Sequence, residues 1–269
     1  MLSAVTDDLD EAAGVREVKS AARTVELLEL LAARRNRPAR LRELSEALGV
    51  PRSSLHALLR TLVRYGWVRV DSSGSLYGIG IRALLAGTSY LDTDPFLPLV
   101  LPFLEELREK VDETFHFGRL DGSDVVYLAT RESSQYLRPY SRIGRRLPAY
   151  STALGKSLLA ERAPDRLAAH LPPVMEPLTP HTITSRPALD DELERIRKRG
   201  YAIDEQENSM GLRCYAVALA YQDPPVDAIS VSIPLARLTT QRELEVVDLI
   251  RKMRDRIARV VNPLGLGGY

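Results

Sequence analysis

The sequence predicts an α+β protein in two parts, a small helical head closed by a hairpin and a larger mixed domain, joined by helices. Three observations carry this. Residues 41–80, LRELSEALGVPRSSLHALLRTLVRYGWVRVDSSGSLYGIG, give two short amphipathic helices meeting at Gly49-Val50-Pro51 and then two short strands, the order of a winged helix-turn-helix. Residues 16–82 carry 13 Lys/Arg against 6 Asp/Glu, a net of +7 in a chain whose total is +1. Beyond the helical stretch that ends near Lys110, strand-like and helix-like segments alternate, the pattern of an α+β ligand-binding domain.

The bulk composition narrows the function classes. With 269 residues, 45% hydrophobic and 27% charged, the chain has room for two ordinary cores. A basic module beside a neutral-to-acidic one is the asymmetry of a protein whose one part meets phosphates. Apolar runs such as Leu97–Leu104 are broken by proline and fall short of the roughly 20 residues that span a bilayer, so no membrane partner is expected. The start is acidic and lacks an apolar leader, and the single Cys214 excludes an internal disulfide framework. Both fit a reducing cytoplasm. Four scattered histidines give no metal-ligand spacing, and no cofactor or metal is expected.

The head reads in order as follows. Residues 1–17 form a tail. Ser20 caps a helix through about Ala33, with Val25, Leu28 and Leu31 as its apolar stripe. RRNRPAR (34–40) is a basic connection. Leu41, Leu44 and Leu48 line a second helix that Gly49 stops, and Pro51 opens the first turn of a third. On that third helix Leu55, Leu58, Leu59 and Leu62 share one face, while Arg52, His56, Arg60 and Arg64 recur every four residues on the other. Such a helix packs its leucines inward and offers guanidinium groups to phosphate or guanine, with Ser53 and Ser54 near its start in reach of DNA. Gly66 ends it. Trp67–Val70 and Ser75–Ile79 make the wing around the turn 71–74, with Arg69 near the backbone and Trp67 packed beneath.

The remaining elements follow the same logic. Ile81 to about Leu91 is helical and reads as a linker, and a helix starting at Asp94-Pro95 runs to about Lys110. Strands are expected at Thr114–Leu120 and Val125–Thr130, then helices near 153–161 and 188–199. Strands at Cys214–Tyr221 and Ala228–Ile233 and a long helix at Thr240–Val261 complete the chain. The domain boundaries fall at 18–80 for the head, 81–94 for the linker and 95–269 for the second domain.

The second domain holds the candidate ligand site. A phosphate-loop reading of YSTALGKS (150–157) fails because the required first glycine is Tyr150. What remains is a helix start capped by Ser151 or Thr152, whose free N–H groups attract a carboxylate. Ser230 and Ser232 share one face of their strand, opposite Ile229, Val231 and Ile233, and two adjacent hydroxyls suit a small polar guest. Asp204 can accept from a hydroxylated ligand. Cys214 reads as a small buried hydrophobe rather than a nucleophile, since no His or Lys neighbours it in sequence.

These segments together resemble the IclR family of bacterial transcription regulators. The likeness runs from about Val18 to Leu264 and is carried by VKSAARTVELLELLA (18–32), the 41–80 motif, LPAYSTALGK (147–156), GY (200–201), MGLRC (210–214) and AISVS (228–232). The resemblance implies a GAF-like effector-binding domain behind a winged helix-turn-helix head. It also implies assembly as a homodimer or a dimer of dimers. It places a carboxylate-binding loop on Ala153 and Leu154, polar pocket residues on Asp204, Cys214, Ser230 and Ser232, and an apolar wall on Tyr136 and Leu147. Leu154 is bulkier than the small residue often found there. YSRIGRR (140–146) is similar to a subfamily that senses keto-deoxy sugar acids; its other reading is an exposed basic loop or subunit contact.

The expected function is therefore a transcriptional regulator, a repressor by family habit, that binds double-stranded operator DNA under the control of a small organic acid. Arg52, His56 and Arg60 are the expected base-reading residues, with Arg64 and Arg69 on phosphate. An effector that binds two arrangements of the second domain unequally would shift DNA binding through the linker helices. Two rivals stand beside it: a DNA-bound protein with a vestigial pocket, and an enzyme acting on a small acid. The second lacks a general base, because no histidine lies in the pocket segments.

Overall fold

The computed structural model describes residues 17–34 and 36–265. The expected tail lies outside these residues apart from Glu17, as does Arg35 of the basic connection. The chain divides into two compact units, one ending at Asp94 and the next beginning at Pro95.

In the first unit α1 spans Lys19–Ala33. Val18 occupies its N-cap without a side-chain cap, so Ser20 lies inside the first turn instead of capping it. The buried positions are Leu27 and Leu31, while Val25 is 53% exposed. The inward stripe thus follows four-residue spacing and excludes Val25. Ala39–Arg40 form a short strand, β1, where the sequence reading had only a connection; it pairs with Tyr77 and Leu76 of the wing. Then α2 (Leu41–Leu48) ends at Gly49, whose φ of +61° is left-handed. Ser45 fixes the turn: its hydroxyl donates to the Val50 carbonyl at 2.6 Å, and its own carbonyl accepts the Val50 N–H. Pro51 sits one residue earlier than expected, as the N-cap of α3 (Arg52–Arg64).

Leu55, Leu59 and Leu62 of α3 are buried against Leu27, Leu31, Leu44, Val68 and Tyr77, with Leu58 and Trp67 partly buried beside them. Each fully buried leucine contributes about 2 kcal/mol, which is what holds α3 at a fixed angle to α2. The wing strands are β2 (Val68–Val70) and β3 (Leu76–Ile79). Asp71 organises the turn between them. Its Oδ1 accepts the Ser75 and Leu76 amides at 2.9 and 2.8 Å, and its Oδ2 accepts the Ser73 hydroxyl at 2.6 Å. Gly80 ends the wing at a close backbone approach, where a Cβ would meet the Gly66 carbonyl oxygen at 2.2 Å. Helix α4 (Ile81–Thr93) follows and buries none of its side chains within the protomer.

The second unit opens with α5 (Leu97–Val111) and is built on one antiparallel sheet of six strands, in the order β6-β5-β4-β9-β8-β7. These are β4 (Thr114–Asp121), β5 (Asp124–Arg131), β6 (Arg146–Pro148), β7 (Ala202–Glu205), β8 (Leu212–Ala218) and β9 (Asp227–Pro234). The short strands β6 and β7 were not foreseen. Strand β8 begins two residues before Cys214 and ends at Ala218, short of the expected Tyr221. All of β9 is buried, which shows that the sheet is covered on both faces. Alternation sorts the residues: Phe115 and Phe117 on β4 pair with Val231 and Ile229 on β9, and the next positions, Thr114 and His116, pair with Ser232 and Ser230.

The serine face carries α6 (Ala153–Ala160) and α7 (Arg186–Arg199), whose Leu154, Leu158, Leu189 and Leu193 share a core with Val125, Tyr127 and Ala216. The phenylalanine face carries α5 and α8 (Thr240–Val261), with Leu104, Val246, Ile250 and Ile257 buried. Gly155 lets α6 reach its place, because a Cβ there would lie 2.2–2.5 Å from the Ala149 backbone.

Candidate functional site

The first candidate surface is the outer face of α3. Arg52, Ser53, Ser54, His56, Arg60 and Arg64 are all exposed on it, and Arg69 is exposed on β2. Among the described residues none of Arg52, Arg60, Arg64 and Arg69 has a carboxylate within ion-pair distance. Neighbouring arginines do: Arg34 pairs with Glu43 at 2.6 Å and Arg42 with Glu46 at 3.3 Å. Arg69 lies opposite Gly78 in the wing ladder and stretches over it, since a Cβ on Gly78 would meet Arg69 Nε at 3.2 Å. Helix α3 thus presents a row of uncompensated cations on a rigid element beside a wing that carries another, an arrangement suited to a phosphate-lined groove. Trp67 is packed against the head core.

The second is a small cavity on the serine face of the sheet, ≈ 40 Å³ in volume, room for about three waters. Of the residues expected there, Leu147, Asp204, Cys214 and Ser232 line it. Cys214 Sγ and Ser232 Oγ are 3.2 Å apart, on neighbouring strands in direct register. Asp204 faces Cys214 across β7 and β8. Ser230 is buried one step further along β9, between His116 and Ala216. Ala153 and Leu154 are buried in the core beneath the sheet, and Thr152, just before them, is the residue that reaches the cavity. Thr152 caps α6 by accepting the Gly155 N–H at 2.9 Å, while the first intrahelical bond runs from the Lys156 N–H to the Thr152 carbonyl. The Ala153 and Leu154 amides precede it, as a helix start requires.

Tyr136 is placed elsewhere, fully exposed. The cause is an anchor. Asp112, at the end of α5, accepts the Ser134 amide and hydroxyl at 2.7 and 2.6 Å and the Gln135 side-chain amide at 3.0 Å. This holds the start of the 133–145 segment at the end of α5. The segment then returns, and Tyr140, Ser141 and Arg145 cover the cavity.

Sequence reading missed His116, Tyr127 and Asn208, which also line the cavity, whereas Arg145, which lines it too, belongs to the segment 140–146 that the resemblance singled out. The expectation that no histidine reaches the pocket is corrected by His116, which the β4–β9 pairing sets beside Ser230. Its Nδ1 lies 3.1 Å from Thr130 Oγ1 and its ring 4.8 Å from that of Tyr127. The only signal was its parity with Thr114 on β4, which acquires meaning once the partner strand is known.

The charges follow from burial. Asp204 is 4% exposed. Its Oδ1 accepts the Glu207 and Asn208 amides at 2.6 and 3.3 Å, yet burial and the nearby Glu207 raise its pKa to about 7. Lys156, 1% exposed, is ion-paired to Glu207, whose own pKa burial also raises. Burial lowers His116 to about 3, so it is neutral, and burial drives the Cys214 thiol well up. The cavity therefore sets hydroxyl groups, a thiol and an imidazole held in their neutral forms, and the Arg145 guanidinium, around one carboxyl, a lining suited to a small polar molecule. Among the described residues no cluster of His, Cys, Asp and Glu is arranged to hold a metal. No described helix is long and apolar enough to cross a membrane.

Comparison with known proteins adds independent findings. Residues 20–72 match the IclR helix-turn-helix domain family, and residues 88–259 match the bacterial transcriptional regulator IclR C-terminal family. The transcriptional repressor IclR of Escherichia coli is 33% identical over 233 residues, 85% of this chain and 85% of that protein. The HTH-type transcriptional regulator KdgR of Escherichia coli is 34% identical over 218 residues, 80% of this chain and 83% of that protein. Among solved structures, a putative transcriptional regulator from Rhodococcus sp. RHA1 superposes with a TM-score of 0.75 at 30% identity, covering 92% of this chain and all of that one.

Proposed function

This chain belongs to the IclR family of bacterial transcriptional regulators, and on that premise we propose that it represses transcription by binding operator DNA through α3 and that a small organic acid in the sheet cavity controls this binding. The observation that carries the DNA half is the row Arg52, His56, Arg60 and Arg64, exposed on one face of α3, with no carboxylate among the described residues within ion-pair distance of its arginines. Arg52, His56 and Arg60 read base edges, aided by Ser53 and Ser54, and Arg64 and Arg69 neutralise phosphates. An arginine on a base edge discriminates sequence, whereas one on phosphate binds all DNA alike and steepens the salt dependence.

The effector half rests on the cavity. About three waters' worth of room suits an acid of two to four carbons displacing them. A six-carbon sugar acid, the ligand class suggested by the segment 140–146, fits once Tyr140, Ser141 and Arg145 move outward. Leu147 supplies the apolar wall, and Ser232, Cys214 and Asp204 the polar contacts. The Ala153 and Leu154 amides, Ser230 and Tyr136 join the site on the same rearrangement.

A homo-oligomer completes the account. Helix α4 leaves Ile81, Leu84 and Leu85 between 53% and 66% exposed, an apolar stripe that a second copy would cover. The enzyme reading is disfavoured by the neutral His116 and the raised Cys214, the reverse of an activated pair.

Two measurements test the proposal. Arg52→Ala is expected to weaken operator binding by about 1–3 kcal/mol while costing much less on random DNA; equal losses on both contradict base reading. A thermal-shift screen of keto, sugar and aromatic acids is expected to find one that raises Tm by mass action. A screen in which no acid raises Tm contradicts the sensor reading.

A further inference from the structure

We propose that Arg145 receives the carboxylate of the effector, so that the cavity holds a small hydroxy acid with its charged end at the β6 edge of the sheet and its hydroxyl toward β7. The proposal rests on the reading of the cavity as the effector site. The lining crosses the sheet strand by strand, with Leu147 on β6, Tyr127 on β5, His116 on β4, Ser232 on β9, Cys214 on β8 and Asp204 on β7. Arg145, just before β6, is the one Lys or Arg among the described residues that line it. Four strands stand between β6 and β7, and no described carboxylate lies within ion-pair distance of the Arg145 guanidinium. The lining is therefore polarised, with an uncompensated cation at one end and a carboxyl at the other.

The backbone of Arg145 is fixed to β5. Its carbonyl accepts the Tyr127 N–H at 2.9 Å, and the Gly144 N–H donates to the Tyr127 carbonyl at 2.8 Å. Arg145 Nη1 donates to the Tyr140 carbonyl at 2.8 Å, which steadies the guanidinium and leaves the Nε and Nη2 donors to a ligand. That pair of parallel N–H groups matches the two oxygens of a carboxylate. Its charge is felt on the cavity floor, where it adds to burial in keeping His116 neutral. The other groups that could take an anion are committed. Lys156 is ion-paired to Glu207, and at the start of α6 Thr152 caps Gly155 while Ala153 and Leu154 are buried in the core. Asp204 accepts the Glu207 and Asn208 amides and is bonded to the Cys214 thiol. Ionised, it turns a carboxylate away, and with Ser232 it suits a hydroxyl. Arg142 and Arg146 of the same segment are exposed and outside the lining, and Arg146 is paired with Asp121 and Asp124.

The test is calorimetry on the full chain with glycolate and 4-hydroxybenzoate, each beside its uncharged amide. The parent is expected to bind the acid more tightly than the amide. Arg145→Gln is expected to weaken acid binding by about 10- to 100-fold, the worth of a charged hydrogen-bonded pair, and to leave amide binding nearly unchanged. Arg146→Gln, which removes a neighbouring charge already paired, is expected to bind the acid as the parent does. Equal losses for acid and amide in Arg145→Gln would make Arg145 a cover of the cavity and overturn the proposal. So would an equal loss in Arg146→Gln, which would assign binding to the general charge of the segment. An acid bound as tightly by Arg145→Gln as by the parent overturns the proposal and leaves the effector reading standing. If neither acid binds the parent, it is the effector reading of the cavity that fails, and the proposal falls with it.

Discussion

Asp204 stands directly opposite Cys214 across the β7–β8 ladder, and its Oδ1 accepts the Glu207 amide at 2.6 Å. One carboxyl therefore shapes the loop after β7 and faces the cavity, and its environment favours the protonated form. That has a consequence for stability. The unfolded chain releases this proton near pH 4, whereas the folded chain keeps it to about 7. Between those values the native state binds more protons than the unfolded state, so this residue's contribution to stability falls as pH rises through the window. Asp204→Asn retains the oxygen that accepts the loop amides and removes the titration. It is expected to be more stable than the parent at pH 8 by on the order of 2 kcal/mol and indistinguishable near pH 4. Urea melts at the two pH values measure this, and equal differences at both contradict it.

The Lys156–Glu207 pair is buried, at 1% and 6% side-chain exposure. Lys156→Met leaves a carboxylate without its counter-charge and is expected to cost about 3–5 kcal/mol at neutral pH. Lys156→Met combined with Glu207→Leu replaces the pair with apolar groups and is expected to recover most of that loss. A double variant as unstable as the single one would show that Lys156 acts through packing and not through charge.

The exposed apolar residues of α4 give a third expectation. Leu84 and Leu85 are 60% and 53% exposed in the protomer. Leu84→Asp with Leu85→Asp is expected to shift sedimentation from dimer to monomer and to leave the far-UV circular dichroism unchanged, because neither side chain supports the protomer core. An unchanged sedimentation coefficient removes α4 from the assembly surface.

Much of the head was legible because its signals are local. Gly49 with its left-handed φ, the leucine face of α3 and the Asp71–Gly74 turn each depend on residues within a few positions. Even there, β1 escaped, since Ala39-Arg40 becomes a strand by pairing with Tyr77, 38 residues on. The same limit applies more strongly to the second unit. Ser232, Cys214 and Asp204 were found through strand parity and resemblance, and Arg145 only as part of the segment 140–146 that resemblance singled out, but His116 reaches the cavity through a pairing over a hundred residues away. Tyr136 shows the converse. Its neighbours Ser134 and Gln135 are bound to Asp112, and no pattern around residue 136 announces a contact made 23 positions earlier.

The central claim is that the cavity governs the α3 surface, and one measurement addresses it directly. An operator duplex is recovered by selecting genomic fragments on the purified chain, and its Kd is measured by fluorescence anisotropy with and without a saturating amount of the acid that raises Tm. A ligand that discriminates between two arrangements of the protein is expected to change the operator Kd by about 5- to 150-fold, and Ser232→Leu, which fills the cavity, is expected to abolish the change. An acid that binds and stabilises the protein while the operator Kd stays the same would contradict the account.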